Sequence, residues 1–475
     1  MNNEYNLDNK ADHSARVEEL FLTRRQWLTK TGTGFGALAL SCMLAEQEFA
    51  QASGGSLAPK QPPQTPKAKR VLNIFLQGAA PHMDLWDPKP ELNANGGKAQ
   101  GNKRLLASPF KFPKYGKSGL QFSEIWPNLG RHADDIAIVR STYTDLPEHK
   151  AATLMQNTGV ITGNRPAVGS WVLYGLGTEN QNLPGFITMK PGKAPDGRNF
   201  GNAFLPGAFH GTFVDSKKTK IEEIIKHIKS GFVTRPEQRE QLDLLYNLNE
   251  MHRQKRQTAD DLDEDDLEAR INSFELAFRM QTDAREAFDI AGEKPATVAK
   301  YGNSAQGRQM MIARRLLERG VRFVQVTQDG WDLHNGIASR AKRNASQLDP
   351  AIGALMDDLK ERGMFKDTLI YITSEFGRTP REDGRGGRGH NKSAMSTVLA
   401  GGGIKGGMAY GSTDEIGGTA EENPVHVKDI HATILNQLGF DHEQLTFRVG
   451  GRPFRLTQPI RDGEQGGQVV EGILA

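Results

Sequence analysis

Short apolar runs alternate with amphipathic segments along most of this chain. Arg70 to Leu76, Ile136 to Arg140, Gly185 to Met189, Val321 to Thr327 and Thr368 to Thr373 are of strand length and nearly unbroken in hydrophobicity. Such runs belong to strands buried on both faces, as in a parallel sheet covered by helices. Helical segments separate them: a run reaching Thr158-Gly159, Gly169 to Leu176, and Gly307 to Glu318. A further one carries Ile352, Leu355, Met356 and Leu359 on a single stripe. After a short strand at Ser396 to Ala400 and a glycine-rich hairpin, Val427, Ile430, Ile434 and Leu438 share the face of a last helix. The pattern predicts an α/β fold with a mostly parallel sheet. From about residue 217 to 300 it changes to long polar helices, read as a helical insertion; the acidic run Asp260 to Glu268 reads as a solvated helix start.

The chemistry gathers after two of the predicted strands. Val321 to Thr327 runs into Asp329, Asp332 and His334; Thr368 to Thr373 runs into Glu375, Arg378 and a glycine-rich loop ending at His390. Ligands in parallel sheets bind beyond the carboxyl ends of the strands, where these residues fall. Side chains two apart in extended backbone point the same way, so Asp332 and His334 can converge on one ion. The competing reading is turn chemistry, since Asp and Gly after strands are ordinary loop formers.

Composition adds limits. The chain has 475 residues and a formal charge of +3, without a basic stripe interleaved with aromatics, which argues against nucleic acid as a partner. Arg24-Arg25 precedes a mild apolar stretch, Thr31 to Ala45, too short to span a bilayer permanently. This resembles a twin-arginine export signal, read by a translocation machinery that passes folded cargo. Cleavage after Ala52 would start the mature chain near Ser53, followed by an exposed linker to about residue 69 and no transmembrane helix. Export places the protein in the periplasm or outside the cell. The single cysteine, Cys42, lies within the signal and could instead carry a lipid anchor. A mature chain without thiols has no disulfide, zinc-thiolate site or cysteine nucleophile.

Several motifs together resemble domain-of-unknown-function family 1501. They are Asp84-Leu85-Trp86-Asp87-Pro88-Lys89-Pro90, Gly169-Ser170-Trp171 through Leu183-Pro184-Gly185-Phe186, Ser374-Glu375-Phe376-Gly377-Arg378-Thr379-Pro380, and Leu399-Ala400-Gly401-Gly402-Gly403 with Lys405-Gly406-Gly407. The resemblance covers about residues 70–455; the domain is taken as 70–460, with 461–475 as a tail. It implies a secreted, sulfatase-like member of the alkaline-phosphatase superfamily: a three-layer sandwich with a mostly parallel central sheet and a helical insertion.

The resemblance also implies roles. Thr144, before Leu146-Pro147-Glu148-His149, resembles the nucleophile segment of the phosphodiesterase branch; the plainer reading makes Thr144 a helix cap. His149 is a further site residue, and Arg378 an oxyanion holder or a structural ion-pair partner. Asp84, Asp332, His334, Glu375 and His390 are the candidate ligands of a divalent ion: zinc, manganese or iron. Departures stand beside these matches. Gln77-Gly78 replaces the superfamily's Asp-Gly, Glu375-Phe376 replaces Asp-His, and no sulfatase signature is present. The expected function is hydrolysis of a phosphate or sulfate ester, on an anionic ester or a sulfated or phosphorylated glycan. The rival is a non-catalytic envelope protein that binds an anionic glycan or a protein partner.

Overall fold

The computed structural model describes residues 57–218, 221–224, 233–256, 275, 278–279, 284, 286–459 and 466–475. The export signal with Arg24-Arg25, Cys42, the cleavage point at Ser53 and the acidic run 260–268 lie outside the described residues.

The apolar runs form one sheet. Its strands are β1 (Arg70–Leu76), β2 (Ile136–Tyr143), β3 (Phe186–Lys190), β4 (Thr212–Asp215), β5 (Phe323–Gln328) and β6 (Thr368–Thr373). A hairpin of β7 (Gly377–Asp383) and β8 (Gly387–Asn391) stands outside it, and β9 (Met395–Ala400) and β10 (Met408–Tyr410) rejoin it. The order across the sheet is β10-β2-β9-β6-β1-β5-β3-β4. All neighbours are parallel except β9, which runs antiparallel to both β6 and β2. The segment between β6 and β9, expected as a glycine-rich loop, is thus a hairpin, whose turn holds Gly384 and Gly386 at positive φ.

Burial on both faces explains the unbroken apolar runs. Leu72, Ile74, Val324, Val326, Ile370 and Ile372 pack under helices Ala305–Glu318 and Ile337–Glu361. Val71, Phe323, Leu369 and Tyr371 pack on the other side, under Val168–Leu176 and Val427–Gln437. The result is a mixed α/β sandwich of three layers. The polar region contributes a helix at Arg235–Arg256. No helix among the described residues is long and apolar enough to cross a membrane.

The two flanks meet the body. Residues 57–69 have no regular structure but are tied down, Lys60 N–H donating to the Leu176 carbonyl and Ala68 N–H to that of Gln437. Residues 466–475, expected as a tail, pack on the domain: Val470 and Ile473 are buried, and Lys405 N–H donates to the Ile473 carbonyl.

The register places the site. Phe75, Thr327 and Thr373 stand level, so the chain leaves β1, β5 and β6 at the same edge. There the loop after β5 lies directly on the end of β1. Gly78, at φ +115°, allows this: a Cβ would come within 2.2 Å of the Asp332 nitrogen.

Candidate metal centre

Three imidazoles and one carboxylate converge at this edge. His149 is the first residue of helix His149–Thr158, whose cap is Glu148, accepting from Lys150 and Ala151 N–H. Thr144 therefore does not cap it. Asp332 and His334 come from the loop after β5, and His390 from β8. His334 Nε2 lies 3.1 Å from Asp332 Oδ1 and 2.9 Å from His390 Nε2. Asp332 Oδ1 is 3.6 Å from His149 Nε2 and 3.8 Å from His390 Nε2. Among the described residues, His149, Asp332 and His390 form the one group of at least three such donors close enough to share an ion.

Each ring is oriented from behind. Nδ1 of His149 donates to Glu375 Oε1 at 2.7 Å, that of His334 to Asp383 Oδ2 at 2.8 Å, and that of His390 to the Pro147 carbonyl at 2.9 Å. Those partners accept and do not donate in their unprotonated forms, which assigns the proton of each neutral ring to Nδ1 and leaves the Nε2 lone pair facing inward. Carboxylates and carbonyls behind histidines are the usual outer support of metal-bound imidazole. Two facing lone pairs 2.9 Å apart repel unless an electrophile lies between them, and His149 Nε2 is buried without a partner. The residues present fit a divalent ion. Around a tetrahedral ion with bonds of about 2.0–2.1 Å, neighbouring donors lie ~3.3 Å apart, and the imidazole contacts to Asp332 Oδ1, 3.1, 3.6 and 3.8 Å, bracket that value.

The electrostatics are uneven. The hydrogen bond to Glu375 raises the His149 pKa against the effect of burial, and the charges of Glu375 and Asp332 add to it. Burial lowers that of His390, helped by Arg378, so this ring favours its neutral form. Burial would raise the Asp332 pKa, but the hydrogen bond and charge of Arg378 take it below the ordinary value.

Several expected roles change. Asp84 is not in the cluster: its two oxygens receive Nε and Nη2 of Arg388 at 2.7 and 3.0 Å, with both side chains fully buried. Glu375 stands behind His149: Oε1 accepts from Gly78 N–H and His149, and Oε2 shares the Ser374 hydroxyl with the Leu76 carbonyl. His149, expected at the site, is in the cluster, with Nε2 3.6 Å from Asp332 Oδ1. Arg378 has no donor left for an oxyanion. Nε bonds the Ala79 carbonyl, Nη1 the Arg388 carbonyl and His334 Nε2, and Nη2 the Gly78 carbonyl and Asp332 Oδ1. Thr144 is buried, its hydroxyl shut off from solvent without a hydrogen bond, while its N–H donates to the Lys392 carbonyl. That enclosure counts against a nucleophile.

Asp383, the Pro147 carbonyl and Arg388 were not identified from the sequence. Asp383-Gly384 is a tight-turn signal that could have revealed the hairpin, and with it a carboxylate able to reach back to His334.

Residues 68–473 match the model of a family described as "Protein of unknown function (DUF1501)". No curated protein sequence matches the chain. Similar solved structures include the PsFucS1 sulfatase from Pseudoalteromonas sp., 14% identical with a TM-score of 0.33, over 79% of this chain and 68% of that one. The phosphonate monoester hydrolase SpPMH from Silicibacter pomeroyi is 14% identical with a TM-score of 0.34, over 78% and 73%. The alkaline phosphatase of the Antarctic bacterium TAB5 is 10% identical with a TM-score of 0.29, over 72% and 92%. At these scores the likeness decides nothing about activity.

Proposed function

The chain belongs to the family of proteins of unknown function DUF1501, and from that premise we propose that it is an exported hydrolase of phosphate or sulfate esters that depends on one divalent ion. The observation that carries this reading is the meeting of His149, His390 and Asp332 close enough to share one ion, with His334 Nε2 beside them and every Nδ1 tied to an oxygen behind it. His149, His334, His390 and Asp332 would hold the ion. Bound there, a divalent cation supplies charge to offset the anionic ester and lowers the pKa of water.

The chain's own residues do the rest. Glu375, Asp383 and the Pro147 carbonyl keep each ring in the tautomer that presents Nε2. Arg378 holds Asp332 as a carboxylate at 2.5 Å. With the Thr144 hydroxyl enclosed, water is the attacking group in this reading: its oxygen bonds to phosphorus or sulfur, the ester oxygen leaves as an alcohol, and a proton passes from water to that alcohol. Export of the folded chain belongs to the same reading, supported by Arg24-Arg25; changing both to lysine should hold the precursor in the cytoplasm, and unchanged export would remove this part.

The test is elemental analysis and zinc titration of the purified chain, with turnover of aryl phosphate and aryl sulfate esters. The wild type should hold an ion and hydrolyse one of the two; His149→Ala with His390→Ala should abolish both properties. No uptake of metal by the wild type defeats the reading. A non-catalytic role is favoured by one observation, the full engagement of Arg378, which leaves it no N–H to hold the oxyanion of a reacting ester. It prevails if the ion binds and no ester is turned over.

A further inference from the structure

The centre has a feature that an ordinary cation site avoids. A permanent positive charge is already built into it. Arg378 is fully buried, and its guanidinium touches two of the would-be donors, Asp332 Oδ1 at 2.5 Å and His334 Nε2 at 3.3 Å. It cannot readily swing aside. Its remaining donors hold the carbonyls of Gly78 and Ala79 after β1 and of Arg388 in β8, so its position is fixed by the backbone of two separate elements. Guanidinium keeps its proton at any physiological pH.

We propose that Arg378 is a resident counter-cation of this centre, which restricts it to a single divalent ion of strong preference for imidazole nitrogen. The inference rests on the metal reading above and narrows it. A fixed unit charge in a poorly solvated site repels every divalent ion by a similar amount. The compensating attraction is not similar: imidazole binds late transition ions such as zinc and cobalt well, manganese weakly, and magnesium or calcium hardly at all. An ion that lives on oxygen finds one half-exposed carboxylate here, already sharing Oδ1 with Arg378. A second ion is excluded for the same reason and one more. Of the two carboxylates behind the rings, Glu375 is fully buried and held by Gly78 N–H and His149, and Asp383 is tied to His334 and Lys103. With no ion bound, Arg378 supplies the positive charge that keeps Asp332 ionised and in place. It is therefore a positioning residue rather than one that touches substrate.

Cobalt(II) titration followed by visible absorption tests this without measuring activity. Wild-type protein should bind one cobalt per chain, with the intense bands of a low-coordinate nitrogen-rich site, and millimolar magnesium or calcium should not displace it. Arg378→Gln removes the charge but keeps an amide donor for the backbone carbonyls. It should tighten cobalt by about tenfold or more, and manganese titrated alone by a similar factor. Arg378→Lys keeps the charge and should stay within about threefold of the wild type. Two cobalt ions per wild-type chain, displacement by magnesium, or equal or weaker binding in Arg378→Gln would each overturn the proposal. If Arg378→Gln does not fold by circular dichroism, the wild-type stoichiometry and the magnesium competition decide. Cobalt binding that fails in every folded form removes the metal reading itself. Binding by the wild type without the expected Arg378→Gln effect removes only the role of Arg378.

Discussion

Two arginine–aspartate contacts stand on the same hairpin and differ in every respect that matters. Arg388 in β8 grips both oxygens of Asp84, bonds the carbonyls of Pro380 and Leu106 as well, and neither charged side chain is exposed. Arg378 in β7 takes one oxygen of an Asp332 that is 50% exposed, and beside that carboxylate stand His149 Nε2, which has no partner, and the facing His334 and His390 Nε2 atoms. The first contact is closed: each donor has an acceptor and nothing is left to bind. The second is open. A charged residue after a strand is thus no guide to function until its partners are counted, because saturation marks a structural pair and unpartnered imidazole nitrogens mark a site.

Breaking the closed pair should have the largest consequence. Asp84→Ala strands a buried guanidinium, and unfolding in urea should reveal a loss of about 3–5 kcal/mol. A loss below about 1 kcal/mol would mean that the pair is not the structural element described.

A buried histidine outside the cluster gives the next effect. His431 is fully buried with Nε2 on the Gln156 carbonyl, and burial depresses its pKa to about 4. A histidine depressed in the folded state stabilises the fold above its unfolded value of about 6.5 and loses that contribution as pH falls towards 4. Stability should drop by about 3 kcal/mol across that window from this group. His431→Asn should flatten the profile of melting temperature between pH 6.5 and 4, and an unaltered profile would refute the assignment.

The open region should respond in binding rather than stability. Asp383→Ala releases His334 Nδ1, so zinc affinity should fall about 10- to 100-fold with little change in melting temperature. Unchanged affinity would place His334 outside the ligand set.

Thr144→Val sharpens the comparison with the smallest effect. The enclosed hydroxyl has no partner to lose, so stability should move by less than about 1 kcal/mol and zinc binding not at all. If ester turnover vanished in this variant, Thr144 would be the nucleophile after all and its segment would have to open.

Much of the architecture was legible in one dimension. β1 and β6 have the bounds of their apolar runs, since strands buried on both sides carry the signal at every position. Helix Ile337–Glu361 was recognised only from Ile352 onward, because Pro350 interrupts it and its first half has few apolar residues. Asp332 and His334 could be paired by their two-residue spacing, a local property. The supports could not: Glu375 meets His149 across 226 positions, and Arg388 meets Asp84 across 304.

The sequence by itself determined the apolar inner strands, the covering helices and the presence of acidic and imidazole side chains after β5 and β6, because periodicity and residue type act over a few neighbours. Tertiary structure alone decided which of those side chains are free. It brought His149 from a helix start and His390 from a hairpin to Asp332, while it spent Asp84 on Arg388 and Glu375 on Gly78, Ser374 and His149. Whether a polar atom is satisfied depends on what folding places within about 3 Å of it, and that distance is set by the packing of segments far apart in the chain.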